Sequence, residues 1–201
     1  MLFVVGTGPG DPDYLTVKAL KTLERCRVVA GWPSVLKRLP LGGKETVPLS
    51  YRNQEEVLKR LAELSREADV CLAVHGDPAV SDWELMERVK ALGVPFEVVS
   101  GVSSVNVALA RFGLDLVQVV VSQHAREPQP LPPAECGRHI LVIPPPGGVQ
   151  KVVEELRARG CEPVVLEDLT LPTERVAPPG EGEPSADLVI VAARCGSTRP
   201  T

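Results

Sequence analysis

Val70-Cys71-Leu72-Ala73-Val74 runs straight into His75-Gly76-Asp77-Pro78, and no other stretch restricts the fold as much. A short unbroken apolar run predicts a strand buried on both faces. The Gly-Asp-Pro break suits neither helix nor strand, so the chain must turn there. Beyond it Ser81 or Asp82 can cap a helix, with Glu84 and Glu87 in its early turns and Leu85, Met86 and Val89 as its apolar stripe. The stretch therefore reads as strand, tight turn, helix. The turn lies at the carboxyl end of a central strand, where open α/β sheets bind ligands.

The rest of the chain repeats that alternation up to about residue 113. Strands are expected at 2–5, 27–30, 45–48 and 96–100, and helices at 15–25, 54–67 and 104–111. In the 54–67 segment Val57, Leu58, Leu61 and Leu64 share one face and charges hold the other. Residues 36–41 fit either type. Such an order predicts a parallel sheet. After Gly113 strands outnumber helices: 117–122, 140–143, 162–166, 173–177 and 187–193 read as strands and 149–159 as a helix. The fold class is thus α/β in two domains, residues 1–113 with a parallel sheet and residues 114–201 with a mixed sheet.

Composition narrows the function classes. A net charge of −4 with no Lys/Arg run argues against a nucleic-acid partner. No apolar run reaches the ~18 residues that span a bilayer, and nothing before Leu2 resembles a signal peptide, so no membrane association and a cytoplasmic location are expected. The five cysteines have no C-x-x-C spacing and read as buried free thiols, with no metal site. The 20 prolines stiffen loops, which is compatible with heat stability.

Gly6-Thr7-Gly8-Pro9-Gly10 after the first strand invites a dinucleotide reading. A phosphate cradle needs free backbone N–H groups and positive potential. Here Pro9 and Pro12 remove donors, while Asp11 and Asp13 place negative charge where a pyrophosphate would rest. The second strand also ends in Ala30-Gly31, without the acid that a ribose requires. A non-phosphate ligand close to the backbone, or a tight turn alone, fits better than a nicotinamide cofactor.

Three motifs stand in order: VVGTGPGDPDYLT at 4–16, HGDPAVS at 75–81 and VSGVSSVNVALARFG at 99–113. Together they resemble the tetrapyrrole methylase family, which transfers methyl groups from S-adenosylmethionine to corrin and sirohaem precursors. The resemblance runs over essentially the whole chain. It is greatest toward the cobalt-precorrin-7 (precorrin-6Y type) C-5 methyltransferases, through Ser122-Gln123-His124-Ala125-Arg126, Ala30-Gly31 and Thr173-Glu174-Arg175-Val176. Ala125 stands where that subgroup carries glycine, and Ser100 where the family more often has proline.

The resemblance implies a folded S-adenosylmethionine in a cleft between the two domains. Pro9 would form one wall, with Gly76, Asp77 and Val80 beneath, Gly101, Ser103 and Ser104 opposite, and Ile143 with Pro144 closing from the second domain. Residue chemistry agrees: Gly76 admits close backbone approach, Asp77 accepts hydrogen bonds, and Ser103 and Ser104 offer hydroxyls at a helix start. Asp77 can equally be a turn-former, and the two serines plain caps. His124 and Arg126 are the catalytic candidates and, with Arg52, the substrate-binding ones, since guanidinium groups suit the acetate and propionate arms of a tetrapyrrole. His75 reads as a strand-end residue filling the domain junction.

The expected activity is C-methylation of a cobalt-precorrin in cobalamin biosynthesis at C-5, by a homodimer, with the C-15 step on a separate polypeptide. Another tetrapyrrole-ring methylase, a diphthine synthase-like methyltransferase and a non-catalytic adenosyl-ligand module are the alternatives.

Overall fold

The computed structural model describes residues 1–113, 119–122, 130–131, 139–180, 184–186 and 188–195. Contacts divide the chain into two compact units, Met1–Ser104 and Val105–Thr201. Residues 114–118, around the expected domain junction, lie outside the described residues.

Five strands build the first unit: β1 (Leu2–Gly6), β2 (Val28–Gly31), β3 (Glu45–Pro48), β4 (Val70–Val74) and β5 (Phe96–Val99). All pairings are parallel and the order is β3-β2-β4-β1-β5. Alternate residues of one strand enter opposite cores, as the two-residue period requires. Leu2, Val4, Val70 and Leu72 face α3 (Gln54–Leu64) and α5 (Trp83–Ala91). Phe3, Val5, Cys71 and Ala73 face α1 (Val17–Arg25) and α2 (Pro33–Leu36). The central run β4 is buried at every position, as a strand covered on both faces must be.

The sheet order also fixes where a ligand can enter. The chain leaves β1 through α1 on one face and leaves β4 through α4 (Pro78–Ser81) and α5 toward the other. β1 and β4 are neighbours, so their carboxyl ends flank a topological switch point, where the departing helices leave a crevice.

The second unit holds α6 (Ser104–Phe112) from Val105 onward, β6 (Val119–Ser122), β7 (His139–Ile143), α7 (Val149–Ala158), β8 (Cys161–Glu167), β9 (Arg175–Ala177) and β10 (Val189–Cys195). Its sheet runs β6-β7-β10-β8-β9, with β6–β7 parallel and the other pairs antiparallel. Helix α7 lays Val149, Val152, Val153 and Leu156 against Ile140, Val142, Val165 and Val191. The Thr173–Val176 segment now has a physical account. The Glu174 carboxylate accepts from the Thr170 amide at 2.7 Å and pairs with Arg111 at 2.8 Å. That fixes a turn in which Asp168 and Thr170 both adopt left-handed backbone, φ 48° and 75°. Hydrogen bonding to Arg111 accordingly holds the Glu174 carboxyl below its ordinary value.

Two expectations need correcting. A short helix, α4, precedes the expected one: Asp77 accepts from the Ala79 amide at 2.8 Å and starts it, while Asp82 is the N-cap residue of α5 by position and makes no side-chain cap bond. Asp followed by Pro is itself an N-cap and first-turn signal, which the turn reading obscured. The cysteines are not all free thiols either. Cys26 is bonded to Cys71 and Cys161 to Cys195. The first pair joins the end of α1 to β4; the second joins facing positions of β8 and β10. Among the described residues no helix is long and apolar enough to cross a membrane.

Candidate functional site

At the switch point the loop after β1 meets the turn after β4 through main-chain atoms. The Thr7 amide and hydroxyl both donate to the Val74 carbonyl, at 2.9 and 2.8 Å. Gly8 and Gly76 then exchange hydrogen bonds, Gly76 N to Gly8 O at 2.8 Å and Gly8 N to Gly76 O at 3.3 Å. Gly76 has φ +57°, a conformation glycine takes without the Cβ penalty. The loop after β5 closes on the same point. A Cβ on Gly101 would lie 2.1 Å from the Gly76 carbonyl oxygen, and one on Gly6 would lie 2.6 Å from both that oxygen and the Gly101 nitrogen. Three loops thus converge at backbone distance, which only glycine permits.

Asp77 locks the arrangement. One carboxylate oxygen caps α4 through Ala79, and the other accepts the Gly101 amide at 3.1 Å. Asp77 thus forms its own turn, as a turn-former does, and also reaches across to the next loop. Thr16, the N-cap of α1, adds a longer tie from its hydroxyl to the Ser100 carbonyl, 3.4 Å.

Of the residues singled out from the sequence, Gly76, Asp77, Gly101, Ser103 and Ser104 come together here, beside Pro9. Pro9 is buried next to the Gly8–Gly76 bridge, and Ser103 is 4% exposed just ahead of α6. The Ser103 Cα and the Ser104 nitrogen lie 3.5 and 3.7 Å from where a Gly76 side chain would begin. Val80, in α4, presents open apolar surface at 41% exposure. Ile143 ends β7 and Pro144 follows it, both in the second unit. Arg52 is exposed between β3 and α3, three strands from β1 at the carboxyl edge of the sheet. His124 and Arg126 lie outside the described residues.

Sequence reasoning missed what lies on the β2 side of the glycine loop. Trp32 and Tyr51 pack with ring centroids 4.8 Å apart, Tyr51 remaining 75% exposed. The His75 Nε2 is 3.3 Å from the Ser34 hydroxyl, and Arg38 reaches in beside them. No motif marks Arg38; it is one arginine among many until the fold places it. Asp82, just beyond α4, is strongly desolvated, and burial raises its carboxyl from 3.8 to about 6.

The cradle suits an S-adenosylmethionine-type ligand. It offers close backbone approach at Gly76 and Gly101, an apolar patch at Val80 and buried hydroxyl chemistry at Ser103.

Comparison with known proteins follows the same lines. A family model described as Tetrapyrrole (Corrin/Porphyrin) Methylases matches residues 1–183. A cobalt-precorrin-4 C(11)-methyltransferase of Priestia megaterium is 34% identical over 146 residues, 67% of this chain and 57% of that protein. A probable cobalt-precorrin-7 C(5)-methyltransferase of Methanocaldococcus jannaschii is 27% identical over 186 residues, covering 88% of each. The match spans only about half the length of several of the curated relatives. Among solved structures, the precorrin-6Y methylase of Archaeoglobus fulgidus superposes with a TM-score of 0.72 at 25% identity, covering 97% of both chains. A Thermus thermophilus uroporphyrin-III C-methyltransferase complexed with S-adenyl homocysteine shares the fold, with a TM-score of 0.73 at 24% identity over 96% of this chain and 91% of that one.

Proposed function

Because the chain belongs to the tetrapyrrole (corrin/porphyrin) methylase family, we propose that it is an S-adenosylmethionine-dependent C-methyltransferase acting on a corrin precursor. The observation that carries this reading is the three-loop glycine convergence at the switch point, held by Asp77. It is a main-chain cradle built at backbone distance, in a chain with the family's motifs.

S-adenosylmethionine, when bound, supplies an electrophilic methyl group on a sulfonium. The protein's task is then alignment, which contributes up to ~7–11 kcal/mol in favourable cases. Gly76 and Gly101 offer backbone groups to the adenosyl part, Val80 covers apolar surface, and Ser103 and Ser104 serve the polar methionine end. Pro9 walls one side, and Ile143 with Pro144 completes the cofactor contacts. Arg52, His124 and Arg126 receive the tetrapyrrole carboxylates, with His124 and Arg126 nearest the chemistry. The enamine-like ring carbon needs no strong base.

For the ring position we favour C-5, in cobalamin biosynthesis. Support comes from the Methanocaldococcus relative, which matches along 88% of both chains. The C(11) relatives favour a second reading, another ring carbon, through their higher identity over a shorter span. A cytoplasmic homodimer, with the C-15 step on a separate polypeptide, completes the proposal; light scattering tests the dimer. Calorimetric titration with S-adenosylmethionine and S-adenosylhomocysteine tests the core of it, and no heat with either at millimolar concentration would remove it. Mass spectrometry of the methylated product then assigns the carbon.

A further inference from the structure

Resting on that tetrapyrrole methylase reading, we infer that Arg38 is a substrate-anchoring residue that takes a carboxylate arm of the tetrapyrrole at the β2 side of the glycine loop. Arg38 follows α2, its amide bonded to the Val35 carbonyl at 3.0 Å. Its Nη1 is fully buried and has no hydrogen-bond partner among the described residues. The guanidinium borders a recess of about 10 Å³ walled by Thr7, Gly8, Gly10, Val35 and His75. No acidic residue lines that recess, and among the described residues no carboxylate pairs with Arg38.

A buried donor of this kind is costly unless something completes it, so an orphaned guanidinium N–H beside a ligand loop asks for an acceptor. The Thr7 hydroxyl donates to Val74 and the His75 ring faces Ser34, and neither is bonded to Arg38 Nη1. The recess has room for one oxygen atom and no ring. A carboxylate entering with one oxygen satisfies the size and the charge together, whereas a water leaves the charge uncompensated.

Sheet order indicates which carboxylate. The cofactor candidates Gly76, Asp77, Gly101 and Ser103 gather toward β5, whereas Arg38 comes from β2 and α2 on the far side of β4 and β1. The two ligands of the reaction are thereby assigned to opposite sides of one loop. The substrate carries many acetate and propionate arms, while the methyl donor carries a single carboxylate.

Arg38→Met and Arg38→Lys test this with cobyrinic acid, a stable corrin polycarboxylate, its heptamethyl ester, and S-adenosylhomocysteine, each titrated by calorimetry. Circular dichroism checks the fold of each variant. The expected result is a cobyrinic acid affinity about tenfold weaker in Arg38→Met and partly retained in Arg38→Lys. The ester binds weakly to wild type and variants alike, and S-adenosylhomocysteine affinity stays within twofold. Cobyrinic acid affinity unchanged in Arg38→Met would overturn the inference and leave the recess to a water. A folded Arg38→Met that loses S-adenosylhomocysteine would also overturn it, placing Arg38 on the donor. Wild type that binds S-adenosylhomocysteine but not cobyrinic acid defeats the anchor alone. Wild type that binds neither defeats the methyltransferase reading itself.

Discussion

Replacing Asp77 by alanine removes two bonds with one substitution. The Oδ1 acceptor for Ala79, at 2.8 Å, is an N-cap, and loss of such a cap costs ~1 kcal/mol. The Oδ2 acceptor for the Gly101 amide, at 3.1 Å, is a charged hydrogen bond worth roughly 1.5–3 kcal/mol. Partial solvent access at Asp77 puts it at the lower end, so Asp77→Ala destabilises the first unit by about 2–3 kcal/mol. Asp77→Asn keeps one acceptor oxygen and turns an N–H₂ toward the other amide, for a loss of about 1–2 kcal/mol. Urea unfolding followed by tryptophan fluorescence reads this directly, since Trp32 and Trp83 are the chain's two tryptophans and both fall in Met1–Ser104. S-adenosylhomocysteine affinity should fall in the same order as stability, because the turn and the Gly101 loop are tied through this carboxylate. Should Asp77→Ala unfold within about 0.5 kcal/mol of wild type, the spread of ordinary surface substitutions, the carboxylate is not the lock described.

Other substitutions test neighbouring features. Gly76→Ala faces only the left-handed backbone penalty of about 1–2 kcal/mol, its nearest neighbour being 3.5 Å away, whereas Gly101→Ala drives a methyl to 2.1 Å from the Gly76 carbonyl oxygen and should abolish S-adenosylhomocysteine binding or folding; equal effects in calorimetry would refute the distinction. Asp82 is raised from 3.8 to about 6 in the folded chain, so its stabilising contribution is full below pH 3.8 and is lost as pH rises through about 6. Tryptophan-monitored unfolding should show a decline of about 2 kcal/mol between pH 4 and pH 8 that is absent in Asp82→Asn. The two disulfides close segments of 45 and 34 residues, so reduction should lower stability by about 2–4 kcal/mol each, and thiol titration of the unreduced, denatured chain should find no more than one reactive cysteine.

The sequence already displays the ladder of the fold. Val70–Val74 is an unbroken apolar run because both its faces are covered, and the glycine and proline punctuation after β1, β4 and β5 marks where the chain must leave the sheet. What it conceals is everything that depends on which strands become neighbours. Gly6 and Gly101 are 95 positions apart, and their contact exists because β5 pairs with β1. The Cys26–Cys71 bridge was invisible for the same reason: a separation of 45 residues says nothing of adjacency until β2 lies against β4. Arg38 has no motif around it, and its burial comes from how α2 packs beside the loop after β1. Asp77 was legible as a polar turn residue, but its reach to Gly101 needed the register of the sheet.

A meeting point built from carbonyls and amides leaves no room for variation by substitution. Any residue larger than glycine at Gly6 or Gly101 collides with main chain, so this part of the molecule can neither drift nor be retuned. On the proposed methyltransferase reading, discrimination between one macrocycle and another is therefore written on the margins, in side chains such as those on the β2 flank. Attempts to redirect the protein toward a new substrate should begin on that flank, at Arg38, and leave the crossing itself untouched.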